Sequence, residues 1–167
     1  AQEPRLRQEL QRALLFSALD DKQLAAVLVS SHHYTLDAES RLFEQGERAR
    51  RFFWIRSGTV KLSRLSPSGE EKIIEVLSSG QTFAEALMFM GDDSTYPVTA
   101  QTLERSEIIG FENAAFLSVL RQSTETSFRL MAAMSQRLHG LISDIDQLTL
   151  QTATARVADF LIARSSE

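Results

Sequence analysis

Apolar positions along this chain change period twice. At the start Leu6, Leu10, Leu14 and Leu15 recur at helical spacing. A second short helix is predicted from Asp20, where Asp20 and Gln23 make a capping-box pair and Leu19 and Leu24 a hydrophobic staple. It should end near Ser30 and Ser31. From residue 32 to 111 the texture becomes short β-rich runs: YTLD, RLFEQGE, RFFWIRSG, TVKLSRL, EKIIEVL, PVTAQTL and SEIIGF. Val60 and Leu62 alternate with Lys61 and Ser63 as a half-buried strand requires. Ser66-Pro67-Ser68-Gly69 predicts a hairpin turn, because Pro presets φ and Gly relaxes the exit. Many short strands at regular spacing mean a sandwich, jelly roll or barrel.

Beyond Gly110 the period is helical again. Phe116, Leu117 and Leu120 mark a short helix. A long one is predicted over residues 123–150, where Met131, Met134, Leu138, Leu141, Ile145 and Leu148 alternate steps of three and four, a heptad seam. A separate amphipathic helix over 154–164 carries Val157, Phe160 and Leu161. The expected architecture is α+β: helices at 1–31, a double-stranded β-roll of jelly-roll type at 32–111, a linker helix and long helix at 112–150, and a final segment at 151–167.

The long seam either packs on its own β-roll or pairs with a second copy. A parallel two-helix coiled coil in a C2 homodimer is the commoner solution. Met131 and Met134 give that interface a soft half, and Leu138, Leu141, Ile145 and Leu148 a firm one. Gly140, in mid-helix, allows a close approach or a point of yielding.

Composition narrows the function. The formal net charge of −4 over 167 residues argues against nucleic-acid binding by the whole surface. Arg48, Arg50, Arg51 and Arg56 cluster, on a strand that reads as a solvated edge. The absence of cysteine excludes disulfides, thiolate nucleophiles, Cys-ligated zinc and a Cys-held iron–sulfur cluster. No apolar run is long enough to span a bilayer and no signal-peptide pattern opens the chain, so no membrane role and a cytoplasmic location are expected. The chain does not begin with Met, as expected of a processed or partial sequence.

The most informative stretch is GQTFAEALMFMGDDSTYPVTAQ at residues 80–101, which carries Glu85 but no Arg or Lys. Binding an anion there needs a charge-assisted donor or freed backbone N–H groups. Instead the segment is bulky at Leu87, Met88, Phe89 and Met90, and Tyr96-Pro97 stands late in the loop. A phosphate is therefore not the expected ligand.

The order of FEQGE, SGTVKL, EEKIIEVL, FAEALMF, a long helix and TATARVADFLI resembles the CRP/FNR transcription regulators over essentially the whole chain. FAEALMFM, VTAQ and SQRLHGLI resemble most the haem-dependent, nitric oxide-responsive DNR-type branch, regulators of denitrification. The resemblance implies a cyclic-nucleotide-binding-like fold and no enzymatic activity. It also implies a homodimer through the long helix, residues 151–167 as the first helix of a truncated DNA-binding domain, and DNA and RNA polymerase contacted only by the full-length protein, whose winged helix-turn-helix would follow residues 154–164. Cyclic-nucleotide members set an Arg-Ser pair on the cyclic phosphate and a Glu on the ribose. Here Glu85 matches the Glu, Tyr96-Pro97 replaces Arg-Ser, and Leu141 and Ile142 replace the polar pair a dimer helix would offer adenine. The resemblance thus implies an apolar effector pocket of Phe83, Glu85, Met88, Phe89, Tyr96, Pro97, Leu138, Leu141 and Ile142, suited to haem b or a small apolar effector.

Haem needs an axial ligand. His32 and His33 are neighbours on a predicted strand and point to opposite faces, leaving His139 on the long helix as the candidate. The His pair that some DNR-type relatives carry near the first helix is Ala13-Leu14 here, and the histidine of an ATHRV-like step is Ala155. Two rival readings are a cyclic-nucleotide module with a degenerate cassette and a cupin-like metalloenzyme. The latter lacks the spaced histidines its metal requires.

Overall fold

The computed structural model describes residues 3–165. Contacts divide the chain into two units, 1–127 and 128–167, and each is described by itself. In the first, helices α1 (Glu3–Leu10), α2 (Leu14–Ser17) and α3 (Asp21–Val29) precede the strands, so the N-terminal part holds one more helical turn than expected. α3 opens with the predicted capping box: Gln23 N–H donates to Asp20 Oδ1 at 2.8 Å and Asp20 N–H to Gln23 Oε1 at 3.0 Å. The staple residues Leu19 and Leu24 are both buried.

Two four-stranded antiparallel sheets follow. One runs β1 (His32–Leu36), β8 (Ser106–Glu112), β3 (Arg51–Ser57), β6 (Thr82–Phe83). The other runs β2 (Arg41–Phe43), β7 (Thr99–Thr102), β4 (Thr59–Leu65), β5 (Glu71–Ser78). The Ser66–Gly69 turn joins β4 to β5 as expected, with Gly69 N–H donating to Ser66 O at 2.9 Å. Between the sheets lies a core of Phe43, Phe53, Ile55, Val60, Leu62, Leu77, Phe83, Tyr96, Ala100 and Ile108.

β3 is interior to its sheet, paired with β8 on one side and β6 on the other, which corrects its reading as a solvated edge. Its run Phe52, Phe53, Trp54, Ile55 is buried on both faces because the outer face is covered too. There Phe16, Phe52, Phe111 and Phe116 form an aromatic cluster with centroids 4.8 to 6.0 Å apart, linking α2, the sheet and α4 (Asn113–Gln122). The strand's arginines are paired rather than free: Arg51 with Glu112, and Arg56 with Glu9 and Glu107.

The last helix, α5 (Thr124–Ser165), is continuous, so the separate helix expected over 154–164 is its final part. No Gly or Pro interrupts the chain from Leu141 onward. Thr149, Thr152 and Thr154 turn their hydroxyls back on the carbonyls of Ile145, Leu148 and Leu150, each at 2.9 Å. Among the described residues no helix is long and apolar enough to cross a membrane.

Candidate functional site

The segment between β6 and β7 leaves the sheet through Ala84, whose φ of +63° is a left-handed conformation that costs a non-glycine residue roughly 1–2 kcal/mol. That turn swings the chain into a short 3-10 helix, Glu85–Phe89. An acidic loop follows and is laced to residues 46–49: Ala49 N–H donates to Ser94 O at 2.8 Å, Tyr96 N–H to Glu47 O at 2.9 Å and Gly46 N–H to Tyr96 O at 2.8 Å. Arg48 braces the loop, its Nε donating to Asp92 O at 3.0 Å while its guanidinium stands 3.6 Å from Asp93.

The sequence-predicted pocket residues separate into distinct environments. Phe83 and Tyr96 belong to the inter-sheet core and Met88 is buried, so these three act as packing side chains. Tyr96 lies flat on Phe43, centroids 3.7 Å apart at 17°, and its hydroxyl donates to Arg51 O at 2.8 Å. Burial pushes that hydroxyl up to about 12, against the opposing pull of the Arg51 backbone bond. Glu85 is half-buried, whereas Phe89 is 49 % exposed and Pro97 is exposed. Pro97 offers its carbonyl to Arg64 Nε at 3.1 Å. The structure therefore brings two cations to this segment that inspection of residues 80–101 alone misses. The signal for Arg48 was its position in a basic stretch facing the Asp92-Asp93 pair; Arg64 arrives on β4 and left no local signal.

In the second unit Leu138, Leu141 and Ile142 are exposed, as are Met131, Met134, Ile145 and Leu148 along the predicted seam. His139 is exposed on the same helix. His33 is exposed on β1, and His32, on the same strand, lies 3.2 Å from the Arg51 guanidinium of β3 and 3.7 Å from Glu112 of β8.

The first unit by itself does not fit haem. Phe83, Met88 and Tyr96 of its cassette are buried, and three grooves among the described residues, each of mixed apolar and charged lining, hold no histidine. Among the described residues no cluster of three or more His, Cys, Asp or Glu could hold a metal. That also removes the support a cupin-like metal centre would need.

Comparison with known proteins places this geometry. Residues 34–123 match the cyclic nucleotide-binding domain model. The crystal structure of DNR from Pseudomonas aeruginosa superposes with a TM-score of 0.82 at 42% identity, covering 93% of this chain and 68% of that one. The separately solved sensor domain of the transcriptional regulator DNR from the same organism gives 0.73 at 41% identity, over 84% of this chain and 93% of that one. The CRP-like cAMP-activated global transcriptional regulator of Mycobacterium tuberculosis is 24% identical over 153 residues, 92% of this chain and 67% of its own length. The chain thus spans about two thirds of such full-length regulators. With its antiparallel β-roll, short leading helices and long terminal helix, the chain belongs to the cyclic nucleotide-binding domain family and is a sensor domain of the CRP/FNR type, akin to transcription regulators and not to enzymes.

Proposed function

We propose that this chain is the effector-sensing and dimerising part of a DNA-binding regulator whose cassette has abandoned cyclic nucleotides for another small molecule. The observation that carries the reading is Tyr96. In cyclic-nucleotide relatives the corresponding step presents Arg-Ser to the phosphate. Here the side chain is turned into the core and held by Phe43 and the Arg51 carbonyl, and Pro97 beside it has no N–H to offer. Glu85 remains as a ribose-type contact without the anion site beside it.

The exposed heptad of α5 supports pairing with a second copy, since an unpaired seam of Met, Leu and Ile leaves its apolar surface in water. Effector binding that favours one packing of the helix pair would then bias the DNA-binding parts of the full-length protein, a two-state switch set by differential affinity. Contacts with DNA and RNA polymerase belong to that longer protein, in the cytoplasm.

The resemblance to nitric oxide-responsive regulators extends the proposal to haem b in the control of denitrification and anaerobic respiration. Of the histidines in this chain, His139 would be the ligand for the iron, because His32 is held by Arg51 and His33 sits on β1. The β-roll alone supplies no seat for haem, so the core of the proposal is the change of effector class.

Calorimetric titration with cyclic AMP and cyclic GMP tests that change and should give no heat up to millimolar nucleotide. Micromolar affinity for either would overturn the reading of Tyr96-Pro97. Haem titration of the chain and of His139→Ala tests the extension: a saturable Soret shift lost in the variant supports it, and an unchanged shift removes His139 as the ligand.

A further inference from the structure

Haem iron is held by a His imidazole, a Cys or Tyr anion, or a Met thioether acting beside a histidine. This chain has three histidines, two tyrosines, four methionines and no cysteine. His32, His33, Tyr34, Met88, Met90 and Tyr96 lie in the first unit, so its capacity to ligate iron rests on those six.

Arg51 occupies half of them. It stands opposite Glu112 in the β3–β8 ladder, and its guanidinium meets His32 and Tyr34, which lie two apart on β1 and so share a face. Tyr34 Oη accepts from Arg51 Nη1 at 3.2 Å, and His32 Nε2 lies 3.2 Å from Arg51 Nη2. An arginine only donates, so His32 Nε2 accepts and the ring proton sits on Nδ1, which faces Glu112 at 3.7 Å. That leaves His32 no lone pair for iron. Tyr96 is spent on the Arg51 backbone, donating to its carbonyl at 2.8 Å and accepting its N–H at 3.4 Å. Burial, which pushes its hydroxyl up to about 12, opposes the phenolate that iron would need.

The other three lack a seat. His33 points to the opposite face from His32 on an edge strand and is exposed, and Met90 is 73 % exposed. Neither is a wall of the three grooves named above. A macrocycle held at either would keep its apolar faces in water, whereas bound cofactors bury most of their surface. Met88 is buried, and the groove it borders holds no histidine to act beside it.

We infer that the β-roll gives haem no axial ligand, because each of its ligand-type side chains is committed to Arg51, packed away or stranded on open surface. In this the roll departs from the haem dependence that the resemblance implies. His139 of α5 is untouched by it, and so is the reading of Tyr96-Pro97. An effector acting on the roll then acts through packing and hydrogen bonds, with no bond from that unit to iron.

Haem titration of the whole chain, wild type against His32→Ala/His33→Ala/Met90→Leu, tests it; all three positions are exposed. The two proteins should share one Soret maximum and an affinity equal within about threefold. A moved band or a larger loss of affinity in the variant overturns the inference. If neither protein gives a saturable Soret shift, the inference stands and the extension to haem b falls, so the two fail separately. Zinc protoporphyrin IX, which is diamagnetic and takes an axial ligand, gives a readout that needs no substitution. Nitrogen-15 NMR of the imidazole rings during its titration should find His32 and His33 unshifted, and a saturable shift at either ring overturns the inference.

Discussion

Replacing Tyr96 by Phe removes one oxygen and leaves the ring stacked on Phe43, so it isolates the hydroxyl's bonds to the Arg51 backbone, donated to the carbonyl at 2.8 Å and accepted from the N–H at 3.4 Å. Tyr96 is 5 % exposed, and water does not replace the lost donor readily. A net hydrogen bond plus a partly unsatisfied buried carbonyl is worth about 1–2 kcal/mol. In a unit of this size that lowers the melting temperature by roughly 2–6 °C. A tyrosine lining an open pocket would instead change stability by no more than about 0.5 kcal/mol.

The pH dependence supplies a second arm. With its hydroxyl raised to about 12, folded Tyr96 keeps a proton that the unfolded chain releases above its ordinary value near 10. The unfolded state then binds fewer protons, so this group's contribution is fully present below pH 10 and is lost as pH climbs toward 12. The Phe variant has no such group. Urea melts at about pH 8 and pH 11 should therefore show the gap between wild type and Tyr96→Phe narrowing by on the order of 1 kcal/mol. A variant as stable as wild type at pH 8, or a gap that does not change with pH, would refute the placement of Tyr96 in the core.

Gly58, at φ +94°, joins β3 to β4, and a Cβ there would stand 2.2 Å from Ser106 Oγ and 2.7 Å from Ser106 Cα. Gly58→Ala should therefore cost about 2–4 kcal/mol in a denaturant melt. The control Gly69→Ala, at φ +84° with nothing within 4 Å, should cost only about 1–2 kcal/mol. Leu141→Glu places a carboxylate from each copy in the proposed seam and forfeits the burial of two leucines, about 3–6 kcal/mol per dimer. Sedimentation should find a monomer, and a variant that still dimerises would move the interface off the heptad.

What was legible in the sequence was local. The Asp20–Gln23 box, the Ser66–Gly69 turn and the heptad of α5 each rest on residues within a turn or two of one another, so spacing alone reveals them. The misreading of β3 has the opposite origin. Four arginines suggested solvent, but the continuous Phe-Phe-Trp-Ile run was the better signal, since a strand covered on both faces does not alternate. What covers the second face, Phe16 and Phe116, lies far away along the chain. The division of the last helix into 123–150 and 154–164 was also misplaced, since the chain runs on through residue 150 as one helix with no Gly or Pro to stop it.

The cassette illustrates the same limit in its chemistry. The absence of Arg and Lys from residues 80–101 suggested that no cation could meet an anionic ligand there, and that inference from composition was incomplete, because Arg48 and Arg64 both reach the segment from elsewhere. The contacts they make are with the loop itself. Arg64 Nε is given to the Pro97 carbonyl, and Arg48 to the Asp92 carbonyl and the Asp93 carboxylate. Each guanidinium thus has part of its donor set given to the loop, and Tyr96, buried in the core, adds no donor there. The cations near this cassette thus brace its loop.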